Sequence, residues 1–549
     1  MTKPVNPEKT FCYLFHAPTL LLAIGFFFYW IELYGLRVPG GRTTAAATIA
    51  FCLILFAVLI KDYKSLASRL KPLGGDFARL DFFNKISLGA GFLIALIILG
   101  VGLNASLLPP HLIQEFDTLN YHLTLPRQHL ILGSFQHIPW ATADLYFLPI
   151  DFALAPYWLA TALPNKLPQF LFFTGLVFVS MNLVRILSNR NVLSSFLIVL
   201  VILGSHNVGI QLGIAMLDVV ICYLLVAALD SFLNGKLFLC AIESAFYFWS
   251  KSFIPLQICL VVFVLLGLYM VYRKAGFKDS GWTFDDLEYN FYSKSGDFKR
   301  ALTKFAGYFC IVSFVVAGPF VAKSLYYAGT PLFPFGVGAL AINQSIDKNS
   351  LEWRSLVRKT QEVLATKDQY GSGRSLLEFL RHFWLIAVPE KGVNNRYDYP
   401  VGLMYLLFLG PFIYFVSKAF VNKRFVVIPL FIVANWMIWW WGSHQSRFLF
   451  VPIVLLFIVV VSHIKYHSKI FITCVLISVA LVGLSVFRAH KRDFGLSAME
   501  VLREKDRELL ALSQTARKGE TIKLQFFDAA FADFPIDVVN SESIFVLEH

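Results

Sequence analysis

Long apolar runs separated by short polar connections dominate the chain. Runs of about 17–25 residues, enough for a helix to cross a bilayer core, lie at Tyr13–Leu36, Thr44–Ile60, Ile86–Leu108, Leu167–Leu187, Val192–Val208 and Leu217–Leu233. Others follow at Phe305–Ala322, Pro400–Val416, Phe425–Trp441, Phe448–Ile464 and Ile470–Phe487, and Leu237–Tyr272 holds two more around Ser250, Lys251 and Ser252. The pattern predicts an all-α polytopic membrane protein of about 13 transmembrane helices. The first run has no small-residue cleavage site after it, so it reads as a retained span.

The polar stretches set the expected orientation. The connection Lys61–Lys85 carries six basic residues, and Arg185, Arg190, Lys236 and the Arg273–Lys304 loop add to the same side. Basic short loops stay in the cytoplasm. The first outer loop is then 109–165, and a long outer loop covers 323–399, with Ser350–Lys367 expected as a helix. The sections are therefore 1–85 with two spans, a core 86–322, the outer loop 323–399, the last spans 400–487 and an extramembrane tail 488–549. The tail reads as a small α/β unit, one helix at Leu496–Thr515 followed by strand-like runs. Between Pro149 and Pro164, Asp151–Leu163 is too short to span and is expected to lie along the outer surface.

Composition agrees: 57% of residues are hydrophobic and 15% charged, against about 25% charged in soluble domains. The net charge of +13 arises from the short loops, so no nucleic-acid partner is implied; the bilayer is. The seven cysteines lie in or beside apolar runs without a CxxC, and read as small core residues.

Candidate chemistry concentrates in Gln114–Phe135, which holds Glu115, Asp117, His122, Arg127 and His129. In an extended segment residues two apart share a face, so Glu115 and Asp117 could both point into one cavity; a pair of solvated loop acids is the plain reading, preferred for Glu115 but not for Asp117. Asp218 borders an apolar run, and an acid there is costly unless it faces a polar cavity. Lys251 interrupts FYFWSKSF and suits an acid or an anionic ligand, with snorkelling as the plain reading. Arg447, after three tryptophans that mark an interface, suits a phosphate that its planar fork can grip. There is no HExxH, P-loop or GxSxG motif, and His122 and His129 do not make a metal site.

The stretch FDTLNYHLTLPRQHLILGSF resembles the first outer loop of GT-C superfamily glycosyltransferases, the class that includes protein O-mannosyltransferases and aminoarabinose transferases. The resemblance extends as architecture over Ile86–Ile464. Asp117 matches the acid of that loop, Asp218 an acid before a later span, and Arg447 an arginine opening a late span. Gly329-Thr330-Pro331-Leu332-Phe333-Pro334 is similar to the GNP(V)YP-like turn of bacterial members, with Thr for Asn. Two spans precede the acid loop, and the Asp218 loop is short; both depart from the simplest pattern.

The resemblance implies surface helices on the outer face and transfer of a sugar from a polyprenyl phosphate to a hydroxyl of a glycan, lipid or protein, with inversion. It implies Asp117 as general base, with Glu115 and Asp218 as further acids. Arg447, Lys323 and Lys251 would hold the donor phosphate, and His122 and Arg127 would stand nearby. No cofactor is implied with certainty, since a divalent metal serves some relatives only. The expected location is a bacterial inner membrane with the site on the periplasmic face. A glycolipid transporter or flippase, and a non-catalytic membrane scaffold, are the rival readings.

Overall fold

The computed structural model describes residues 12–36, 42–78, 81–110, 115, 117–138, 141–158, 165–188, 192–275, 278–279, 295–338, parts of 353–388, 397, 400–422, 424–463, 469–497 and 500–501. Each predicted apolar run is a helix. They are α1 (Ala17–Ile31), α2 (Arg42–Ala78), α3 (Phe82–Ser106), α4 (Leu167–Leu187), α5 (Val192–Leu203), α6 (Asp218–Leu233) and α7 (Leu237–Phe248). The later ones are α8 (Phe253–Lys274), α9 (Ser295–Ala328), α10 (Leu403–Val421), α11 (Val427–Trp441), α12 (Phe450–His463) and α13 (Lys469–His490).

Among the described residues nine helices are long and apolar enough to cross a membrane. The chain is thus a helical, polytopic integral membrane protein. α5, α7 and α11 are apolar but shorter. The one strand pairing described joins Lys278–Asp279 in parallel to Arg424–Phe425.

Local chemistry sets several boundaries. The Asp81 carboxylate accepts from Asn84 N and caps α3. Gly133, at φ 62°, closes the short helix Thr124–Leu132, as its place after that segment predicts. The stretch from Lys61 is helical rather than a loop: Lys, Arg, Leu and Ala between Lys64 and Lys71 favour helix, and α2 continues to Ala78 through Pro72 and Gly74-Gly75. The described residues among 353–365 are helical. The tail from residue 502, with its expected helix and strands, lies outside the described residues.

Burial sorts the helices into layers. In α12, 78% of the apolar window is buried, against 17% in each of α2, α8 and α9. α12 is therefore the centre, touching α4, α5, α6, α10 and α11, while α2, α8 and α9 present apolar surface outward. The helix Pro149–Trp158 corrects an expectation. All ten of its residues are buried, so it does not lie along a surface. It packs on α1 where Gly25 lacks a side chain; a Cβ there would collide with Ala153 O.

Successive helices alternate in direction. The C-terminal ends of α3, α7, α9 and α11 and the N-terminal ends of α4, α6, α8 and α12 therefore gather at one end, the site end. Contacts across it bear this out, such as Lys251 to Asp218 and Lys323 to Asp144. At the opposite end His16 bridges Asp230 and Glu243, and Lys61 and Lys236 stand over the Tyr13 ring.

Candidate functional site

Four charged side chains meet at the site end. Arg447 lies in the turn Ser446–Leu449 that opens α12, and its Nη1 donates to Asp117 Oδ2 at 2.8 Å. Lys251 lies where α7 breaks before α8, and its Nζ donates to Asp218 Oδ1 at 3.0 Å. Asp218 is the first residue of α6, where the helix dipole favours a carboxylate. Both cations flank one ring: Lys251 Nζ is 5.2 Å and Arg447 Cζ 5.5 Å from the Phe448 centroid. Residues 117 and 447 are 330 apart in sequence, so the fold alone brings them together.

Beside these pairs is a cavity of about 540 Å³. Tyr121, His122, Lys251, Gln257, Gln445 and Arg447 supply its polar wall. Its other wall includes Leu256, Leu260 and Trp441, all exposed on the outside of the bundle, so the cavity borders the surface that faces lipid. A smaller recess of about 30 Å³ leads from Lys251 and Arg447 to Asp218 and Asn435. Pro334 and Phe335, at the end of the Gly329–Pro334 turn, also line the main cavity. Thr330 holds that turn: its hydroxyl donates to Phe335 O and accepts from Leu332 N.

The electrostatics keep Asp117 ionised. Burial pushes its carboxyl up, but Arg447, then His122 and Lys251, outweigh burial and hold it below its ordinary value. His122 Nδ1 is 2.9 Å from Asp151 Oδ1, close enough for an ion pair though off the direction of a good hydrogen bond. Burial raises the Asp151 carboxyl, and His122 offsets this only in part. Burial also raises the Tyr121 and Tyr146 phenols, with Asp117 adding to it, so both stay neutral donors at the cavity.

Three expected site residues are elsewhere. Glu115 does not point where Asp117 does; neither is among the residues lining the cavity, but Asp117 is joined to it through Arg447. The shared-face rule holds for extended chain, but Asp117 has helical φ −60° and ψ −38°. Glu115 is fully buried, 3.1 Å from Lys166 Nζ, and accepts from Ala215 N at 2.9 Å. Lys323 is committed to Asp144 at 2.6 Å, with His129 3.1 Å away. Asp144 also accepts from Ile138 N and meets His129 and His137, so it ties these three residues to α9. Burial pushes the Asp144 carboxyl up, but Lys323 and the two histidines hold it well below the usual range. Arg127 is half-buried in the helix Thr124–Leu132 and is not among the residues lining the cavity.

Asp144 and Asp151 were not singled out from sequence. Asp151 could have been: it is an acid inside the apolar PIDFALAPYW, the same signal that marks Asp218. Among the described residues no group of three or more His, Cys, Asp or Glu is placed to hold a metal. Asp117 and Asp218 each face a cation, so a divalent ion would have to displace Arg447 or Lys251. Comparison with protein-family models, curated proteins and solved structures finds no match.

Proposed function

We propose that the chain is an integral-membrane glycosyltransferase that moves a sugar from a polyprenyl-phosphate donor to a hydroxyl of a glycan, lipid or protein. The observation that carries this reading is the two acid–cation pairs beside a cavity that borders the lipid-facing surface. A donor with a long apolar tail and an anionic head needs such a boundary: tail outward, phosphate on fixed cations. Arg447 offers a planar fork and Lys251 a point charge, both next to the Phe448 ring.

In this reading the donor phosphate competes with Asp117 for Arg447. As the guanidinium turns to the phosphate, the Asp117 carboxylate loses its neutralising partner beside the acceptor hydroxyl. Asp117 then takes the hydroxyl proton as the acceptor oxygen bonds to the sugar carbon from the face opposite the leaving group. The bond from sugar carbon to phosphate oxygen breaks, and polyprenyl phosphate leaves with its charge on Arg447 and Lys251. The sugar is inverted. Asp218 holds Lys251 in place. Lys323 and Glu115 take no part, because Asp144 and Lys166 occupy them. The acid and cation pairs do not form a ligand set for a divalent metal, and no step runs through one.

The basic connections at the opposite end support a site on the outer face, and the resemblance to GT-C enzymes suggests that this is the periplasmic face of a bacterial inner membrane. The test is transfer from a radiolabelled polyprenyl-phosphate sugar by purified protein in nanodiscs. Asp117→Asn should lower the rate by about 10²–10⁴-fold with melting unchanged within a few degrees. Wild-type rates in that variant would remove the base. Movement of the donor across proteoliposomes without transfer would favour a transporter.

A further inference from the structure

The helix Leu376–Leu385 presents three faces. Phe379, His382 and Phe383 pack on the last turns of α11: Trp436 Nε1 donates to His382 Nε2 at 2.7 Å, and Phe383 stacks on Trp436 at 5.7 Å. Glu378 and Arg381 pair at 3.4 Å on a second, polar face. Leu376, Leu377, Leu380 and Trp384 make the third. At about 100° per residue these four fall within one arc of about 100°. They are 76%, 55%, 62% and 59% exposed. Such a face in water would be costly, since each large apolar side chain gains about 1.5–3 kcal/mol on full burial.

Other exposed apolar side chains stand at the site-end termini of their helices. Leu107 follows α3, Tyr326 lies in the last turn of α9, Leu403 opens α10, and Trp441 ends α11 at 74% exposure. The exposed face of the helix adds to this apolar set at the site end. Its C-terminal end is tied to the start of α10 by Val401 N to Ile386 O and Gly402 N to Ala387 O. At its N-terminal end Arg374 Nη2 donates to Gly442 O at 2.6 Å. The helix therefore runs antiparallel along the last turns of α11, with one face to protein, one carrying Glu378 and Arg381, and one exposed and apolar.

We propose that Leu376–Leu385 is a membrane-interface helix whose Leu376, Leu377, Leu380 and Trp384 face is covered by the acyl-chain edge of the bilayer. Arg381, 59% exposed, reaches from it toward lipid headgroups. The partner is the lipid surface, and the helix sets the depth of the site: Trp439 and Trp441, which line the cavity, belong to the α11 turns it braces. The ion pairs then lie at headgroup depth. This holds whatever reaction the cavity serves.

The test places a photoreactive benzoylphenylalanine at one position of the full chain in phosphatidylcholine–phosphatidylglycerol nanodiscs and reads lipid adducts by mass spectrometry. Leu380→benzoylphenylalanine should give lipid adducts within about threefold of the same change at lipid-facing Leu260, and at least about tenfold above Gln136, which is exposed at the site end. A variant at Trp384 on the same face repeats the measurement if the Leu380 variant does not fold. Adducts to a second copy of the chain, or yields like those of Gln136, would overturn the proposal.

Discussion

Arg447→Gln is the most informative single perturbation. It removes the charge facing Asp117 while keeping a side chain that donates a hydrogen bond. With Nη1 and Oδ2 2.8 Å apart, the pair is in direct contact. Unit charges about 4 Å apart attract by about 4 kcal/mol at an effective dielectric near 20. Water takes part of this back, because the side chains keep 18% and 20% exposure. A charged hydrogen bond of this kind contributes about 1.5–3 kcal/mol. A cycle with Asp117→Asn, Arg447→Gln and the double variant, unfolded in SDS-containing mixed micelles, should therefore show coupling in that range. The sign with pH follows from the depressed carboxyl. The pair stabilises the fold fully above the unfolded carboxyl value, near 3.9, and loses this as pH falls through the lower folded value. In Arg447→Gln burial is opposed only by His122 and Lys251, so the acid limb of kcat/KM moves to higher pH. Additive stabilities within about 0.5 kcal/mol, or an unmoved acid limb with measurable transfer, would refute the coupling.

Glu115→Gln should cost about 3–5 kcal/mol of stability, because it strands the fully buried Lys166, while the folded fraction keeps its kcat; loss of kcat at full stability would return Glu115 to the site. Gly25→Ala pushes a methyl group into Ala153 O and the Tyr157 ring and should cost about 1–3 kcal/mol or more, read as a lower melting temperature; an unchanged value would contradict the close approach of α1 to Pro149–Trp158. Gln136→Cys in intact cells should react with an impermeant thiol reagent and Lys274→Cys should not, both positions being exposed at opposite ends of the bundle; the reverse pattern would invert the orientation.

The apolar runs made the helices legible, because in a bilayer a run of that length has no other way to satisfy its backbone. Even the break at Ser250–Ser252 could be read from Lys251 within an apolar stretch. Pairings could not. Nothing local says that Arg447 meets Asp117 while Lys323 meets Asp144, since each choice depends on how helices far apart in sequence pack. The departure at Glu115 had a nearer cause: the shared-face rule needs extended chain, and Asp117 has helical φ and ψ. Pro149–Trp158 was misread because the flanking prolines and short length suggested a surface segment, whereas α1 and the glycine at position 25 provide a slot for it.

The cluster at the opposite end bears on how the chain is made. His16 stands at the very start of α1, with Nδ1 2.7 Å from Glu243 and Nε2 3.0 Å from Asp230, all three buried. Asn182 completes the group by donating to Asp230. Its partners emerge from the ribosome more than 200 residues after it, on α6 and α7. Before α7 is made, α1 already has Pro149–Trp158 to pack on, and Asp230 already has Asn182 and His16 Nε2. What waits for α7 is His16 Nδ1, whose partner Glu243 arrives last. A chain cut or stalled before residue 243 should therefore dock α1 but leave this buried cluster one carboxylate short, even though every earlier span is in place.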